Sequence, residues 1–145
     1  MTLSRRGFLS GAAALAASRI VSPLAMGAVT KPNSKFHGVQ IGAITYSFRS
    51  MPGSAEDILK YCQKCNLSAV ELMGGPAEGF AKKAGGSDRI AGFKALRKFY
   101  NEAGVDIHIV KFGNIGNRDM SDEQIEDYFE AAKAAGATGI TRELS

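Results

Sequence analysis

Two rhythms of apolar residues alternate along this chain. Stretches with apolar positions three and four residues apart give way, at an asparagine or glycine, to short and nearly continuous apolar runs. Asn66-Leu67-Ser68-Ala69-Val70-Glu71-Leu72-Met73-Gly74-Gly75 is one such passage; Gly104 to Val110 and Gly136 to Leu144 are two more. Asn and Gly take the left-handed conformation that closes a helix at low cost, so each passage reads as helix, cap and strand. Strands that are nearly all apolar are covered on both faces, and strands alternating with helices build a parallel sheet through right-handed crossovers. The pattern therefore predicts an α/β fold.

The first strand is expected over His37 to Phe48, with Val39, Ile41 and Ala43 on one face and Gln40, Gly42 and Ile44 on the other. Ser54 caps a helix whose first turn carries Glu56 and Asp57 and whose inner positions are Ile58, Leu59, Cys62 and Cys65. The second strand runs from Leu67 to Met73, followed by a long Gly-rich loop to Ser87 that reads as a binding lid. A helix over Asp88 to Ala103 places Phe93, Leu96, Phe99 and Tyr100 inward and Arg89, Lys94, Arg97, Lys98 and Glu102 outward. In the third strand, Val105, Ile107 and Ile109 are expected to meet the helices, with Asp106, His108, Val110 and Phe112 on the opposite side. Ser121 and Gln124 form a capping box that opens a helix reaching Gly136, and the fourth strand starts at Gly139.

Composition changes this picture mainly at the amino terminus. Arg5 and Arg6, then Phe8-Leu9 and an Ala/Gly stretch with no acid before Lys31, read as an export leader over residues 1–27, with residues 28–36 as a linker. The paired arginines resemble a twin-arginine signal, which implies a periplasmic or secreted protein. The apolar run is broken at Ser18-Arg19 and is shorter than the roughly 20 residues that cross a bilayer, so no stable anchor is expected. The net charge of +4 falls to +1 over residues 28–145, which hold 15 basic and 14 acidic side chains. Neither that balance nor any basic stripe with aromatics suits nucleic acid, and a small molecule is the expected partner. Cys62 and Cys65, inside a helix and without a second ligand pair, read as buried packing thiols.

Candidate chemistry gathers at the strand ends. The end of the first strand carries Tyr46, Ser47 and Arg49, which suit a polyol or phosphate, or a solvated loop. Glu71 is a carboxylate in an otherwise apolar strand, which is costly unless it is paired, binds a metal or faces a polar cavity. His108 sits mid-strand, as a core histidine or as a ligand or base. Lys111 and Asn114 stand near the end of the third strand, where they would reach substrate oxygens or solvent. Glu143 repeats in the fourth strand the placement of Glu71, and two acids at the carboxyl ends of parallel strands form a candidate catalytic pair.

Val70-Glu71-Leu72 in the second strand, Lys111-Phe112-Gly113 after the third, and Gly136-Ala137 followed by Ile140-Thr141-Arg142-Glu143 resemble the xylose-isomerase-like sugar phosphate isomerase/epimerase superfamily over about residues 37–145. The resemblance implies a (β/α)8 TIM barrel, of which about four β-α units are present as a partial barrel. It also implies a divalent metal (Mn, Mg, Co or Zn) held by Glu, Asp and His of later strands, and glutamates moving protons beside a sugar carbonyl. The usual metal ligands are expected after Ser145, and none is assigned here. Eight strands would be completed by more chain or by a homodimer of two halves. The expected function is an exported sugar (phosphate) isomerase or epimerase; a non-catalytic sugar-binding barrel domain, or an inactive fragment, is the alternative.

Overall fold

A computed structural model describes residues 30–142; the expected leader and Glu143 lie outside them. The chain enters through a hairpin, β1 (Lys35–Phe36) paired antiparallel with β2 (Val39–Gln40). Its two-residue loop has His37 at φ 47° and Gly38 at φ 83°, the positive values such turns demand. The segment expected as a linker is thus structured from Asn33: the Asn66 side chain accepts from the Asn33 amide and donates to Asn33 O, and the Ser34 hydroxyl lies 3.1 Å from that of Ser68.

The single first strand expected over residues 37–48 is replaced by three pieces. After β2 the chain steps at Gly42, where a Cβ would stand 3.0 Å from the Ala69 carbonyl, into β3 (Ala43–Ile44) and a 3-10 turn, Thr45–Phe48. The apolar alternation there came from two short strands, and the Ile41 amide bonds back to Ser34 O. Val39 and Ile41 consequently stay exposed.

Helix α1 (Ala55–Lys64) begins where Ser54 accepts from the Asp57 amide and ends before Asn66, whose φ of 55° closes the turn. Strand β4 (Ala69–Met73) leads straight into α2 (Gly74–Gly85), so the expected lid is a helix. Pro76 falls in its first turn, where the missing N–H costs nothing. Ala77 and Ala81, four residues apart, are buried, and Gly85 and Gly92 serve packing: a Cβ on Gly92 would lie 2.1 Å from Ala81 O. Gly92 belongs to α3 (Arg89–Glu102), which Asp88 caps through the Ala91 amide. Strand β5 (Asp106–Lys111) follows, then α4 (Asp122–Ala134) behind the expected Ser121/Gln124 capping box, then β6 (Gly139–Thr141).

β3, β4, β5 and β6 form one parallel sheet in chain order. Helices α1 to α4 join a single apolar cluster with Val70, Leu72, Ile107, Val110 and Phe112, so they cover one face of the sheet. Strand order that never reverses, with helices on one side, is singly wound, as in one arc of a (β/α)8 barrel, rather than doubly wound. Within the core, Tyr100 is fully buried and donates its hydroxyl to Ala55 O at 2.7 Å, tying α3 to the start of α1; burial pushes its pKa up.

Two expectations about faces need correcting. The β4–β5 register slips between Val70 and Glu71, which pair with Ile107 and Ile109 and leave His108 as the extra residue of a bulge. Past the bulge the faces exchange: Val110 and Phe112 turn to the helices, and Ile109 turns to the open, concave face. Cys62 is buried as expected, its thiol pushed up to about 11 by burial and then by neighbouring Cys65, but Cys65 follows the last helical residue and is exposed.

Candidate functional site

The carboxyl ends of β3, β4 and β5 surround a cleft of about 480 Å³. The 3-10 turn contributes Tyr46; β4 contributes Met73; the start of α2 contributes Gly74, Gly75 and Glu78; β5 and the following turn contribute Lys111, Phe112, Gly113 and Asn114. Three residues expected at a ligand site, Tyr46, Lys111 and Asn114, therefore meet. Gly74 is fixed by geometry, since a Cβ there would lie 2.8 Å from Lys111 O. Gly74 and Gly75 belong to the first turn of α2, whose amides have no acceptor within the helix, and the N-cap Met73 supplies no side-chain cap. Such amides favour an oxygen of the ligand.

Arg49 does not line the cleft; its guanidinium stands 5.0 Å from the centre of the Tyr46 ring and holds that ring from outside. The loop beyond Asn114 is tied to β6, because Arg142 donates to Ile115 O at 2.5 Å and to Asn117 Oδ1 at 3.4 Å.

Glu71 and His108 sit elsewhere, in a shallower cleft of about 210 Å³ on the concave face, with Gln40, Gly42, Ala43 and Ile109 among its walls. Glu71 is half-buried and accepts a 2.6 Å hydrogen bond from Thr141 Oγ1. His108 is exposed, as its place in the bulge dictates. Glu71 and Met73 project from the same side of β4, about 6.5 Å apart along the strand, so the carboxylate lies one step below the rim cleft.

Sequence reasoning missed Glu78 and Tyr128 of the rim cleft and gave Arg89 to solvent. Arg89 is instead a hub: Nε donates to Glu78 Oε2 at 3.2 Å, Nη2 bonds Glu78 Oε1, and Nη1 bonds Asp127 Oδ2 and, at 3.0 Å, Asp127 O. Its guanidinium also faces the rings of Phe93, Phe112 and Tyr128 at 5.2, 5.8 and 5.0 Å. Burial works to lower the Arg89 pKa, but the Glu78 bond and charge, then Asp127, outweigh it and hold the cation above its ordinary range. The available signal was Asp88, whose cap sets Arg89 in the first turn of α3, where a cation is otherwise disfavoured and calls for a partner.

Among the described residues no three His, Cys, Asp or Glu side chains stand together as ligands for a cation. The divalent metal the resemblance implies therefore has no ligand set among the described residues, and no step is derived through one. Among the same residues no helix is long and apolar enough to cross a membrane.

No model of a protein family matches this sequence, and no curated protein does. Among solved structures, the chain is similar to AsbF of Bacillus anthracis, a probable 3-DHS dehydratase involved in petrobactin synthesis. The identity is 15% and the TM-score 0.49, over 72% of this chain and 38% of the other. The chain therefore spans well under half the length of that enzyme.

Proposed function

We propose that the protein is an exported sugar-handling enzyme of the xylose-isomerase-like kind, which binds a sugar in the rim cleft and moves a proton beside its carbonyl. The observation that carries this reading is the convergence of Tyr46, Lys111 and Asn114, with the open amide turn of α2, at the carboxyl ends of consecutive parallel strands. That rim is where singly wound α/β folds place their chemistry. Aromatic rings offer apolar faces to a sugar's C–H bonds, while amide donors and a carboxylate address its oxygens. Glu71, one step below the rim beside Thr141, and Glu143, two positions after the last residue of β6, are the proposed proton-handling carboxylates. The arginine pair before the Ala/Gly stretch supports export.

The test is proton exchange. The protein is incubated with D-fructose or D-xylose in D2O, with divalent cations supplied, and deuterium is followed at the carbon next to the carbonyl. Enzyme-dependent incorporation is expected. Glu71→Gln should lower it about 100-fold, the scale of a lost general acid or base, with little change in melting temperature. Binding without any exchange would favour the non-catalytic sugar-binding domain, and a large fall in melting temperature with unchanged exchange per folded molecule would make Glu71 purely structural.

A further inference from the structure

We propose that Glu78 selects the ligand of the rim cleft: its carboxylate, locked by Arg89, accepts hydrogen bonds from an uncharged sugar and turns away the phosphate ester of that sugar. This rests on the sugar-site reading above and names the substrate class.

The observation behind it is how firmly one carboxylate at the cleft wall is held. An exposed ion pair contributes little and leaves both partners mobile. Here Arg89 takes both oxygens of Glu78, is braced by Asp127 from α4, and lies among three aromatic rings. The planes of the two groups fix each other, as bidentate arginine–carboxylate pairs do. Each Glu78 oxygen has one lone pair committed to Arg89 and keeps acceptor capacity, and Glu78 is part of the cleft lining.

Beside this acceptor stand donors: the first-turn amides of Gly74 and Gly75 and the side chain of Asn114. A sugar hydroxyl donates and accepts at once, so it answers both sets. A phosphate near neutral pH is almost wholly an acceptor, and it would meet the fixed carboxylate as a like charge. Among the described residues the lining holds one cation, Lys111, against one anion, Glu78, and so offers a dianion no net charge. The arginines beside Tyr46 and Glu78 already face protein groups, Arg49 the Tyr46 ring and Arg89 the carboxylates of Glu78 and Asp127.

The experiment titrates the full chain with D-fructose and with D-fructose 6-phosphate, following cleft amides by NMR, for the natural protein and for Glu78→Gln and Glu78→Asp. The natural protein should prefer D-fructose by about tenfold or more. Glu78→Gln should bind D-fructose about tenfold more weakly and the ester more tightly, collapsing the preference. Glu78→Asp, which keeps the charge but shortens the reach, should weaken D-fructose severalfold with the preference retained, and it carries the test if the Gln variant does not fold. An unchanged ratio in Glu78→Gln, full D-fructose affinity in Glu78→Asp, or preference of the natural protein for the ester would overturn the role of Glu78 while leaving the sugar site standing. Failure of the natural protein to bind either probe would defeat the sugar-site reading, and this one with it.

Discussion

The rim cleft and the concave cleft draw on the same strands, yet they leave very different groups for a ligand. In the concave cleft the backbone is committed to the sheet: Ala43 pairs with Val70 and Ile44 with Glu71. Two of its polar side chains are also occupied. Gln40 Nε2 donates to the Ser34 and Ser68 hydroxyls and to Ile41 O, and Glu71 accepts from Thr141. At the rim, by contrast, the backbone has left the ladder at Gly74, Gly75 and Gly113, and a helix start faces the space. Regular structure satisfies its own polar groups, so the capacity to bind is concentrated where that structure ends.

The contrast depends on α2 being a seated wall, not a mobile lid. Gly92→Val tests this most severely, because its Cβ would overlap the backbone at Ala81 O, 2.1 Å away. Urea unfolding should show a loss of about 3 kcal/mol or more, or no cooperative transition. Stability near that of the natural protein would mean that α2 is not packed on α3 and that the rim has no fixed wall.

A smaller effect separates the two clefts directly. Thr141→Val removes the partner of Glu71 and should cost about 1 kcal/mol by denaturant melt, with deuterium exchange reduced severalfold and D-fructose affinity unchanged. A fall in affinity as large as the fall in exchange would join the two clefts into one site.

What was legible beforehand follows from how local each signal is. Ser54 and the Ser121/Gln124 box act within one helical turn, and both caps stand where the sequence places them. The chain order of four parallel strands was likewise readable from the alternation of helix, cap and apolar run. The bulge at His108 was not, because it depends on β4 across the ladder, and one inserted residue sends Ile109 and Val110 to the opposite faces. The glycines between Gly74 and Gly86 misled for a related reason: read alone they suggest a loop, but Gly85 and Gly92 are small because α2 and α3 approach closely. Tyr46, Lys111 and Asn114 were found as strand-end residues. Glu78 was missed because its partner Arg89, and Asp127 that braces this arginine, lie on two other helices and only the fold brings them together.

The most direct measurement of the central claim, that ligand binding belongs to the rim, is amide shift mapping of the 15N-labelled full chain with D-fructose. The account predicts saturable shifts at Gly74, Gly75, Gly113 and Asn114, with Gln40, Gly42 and Ala69 at the far end of the concave cleft unmoved. Shifts confined to Gln40, Gly42 and Ala69, or no saturable shift anywhere, would contradict it.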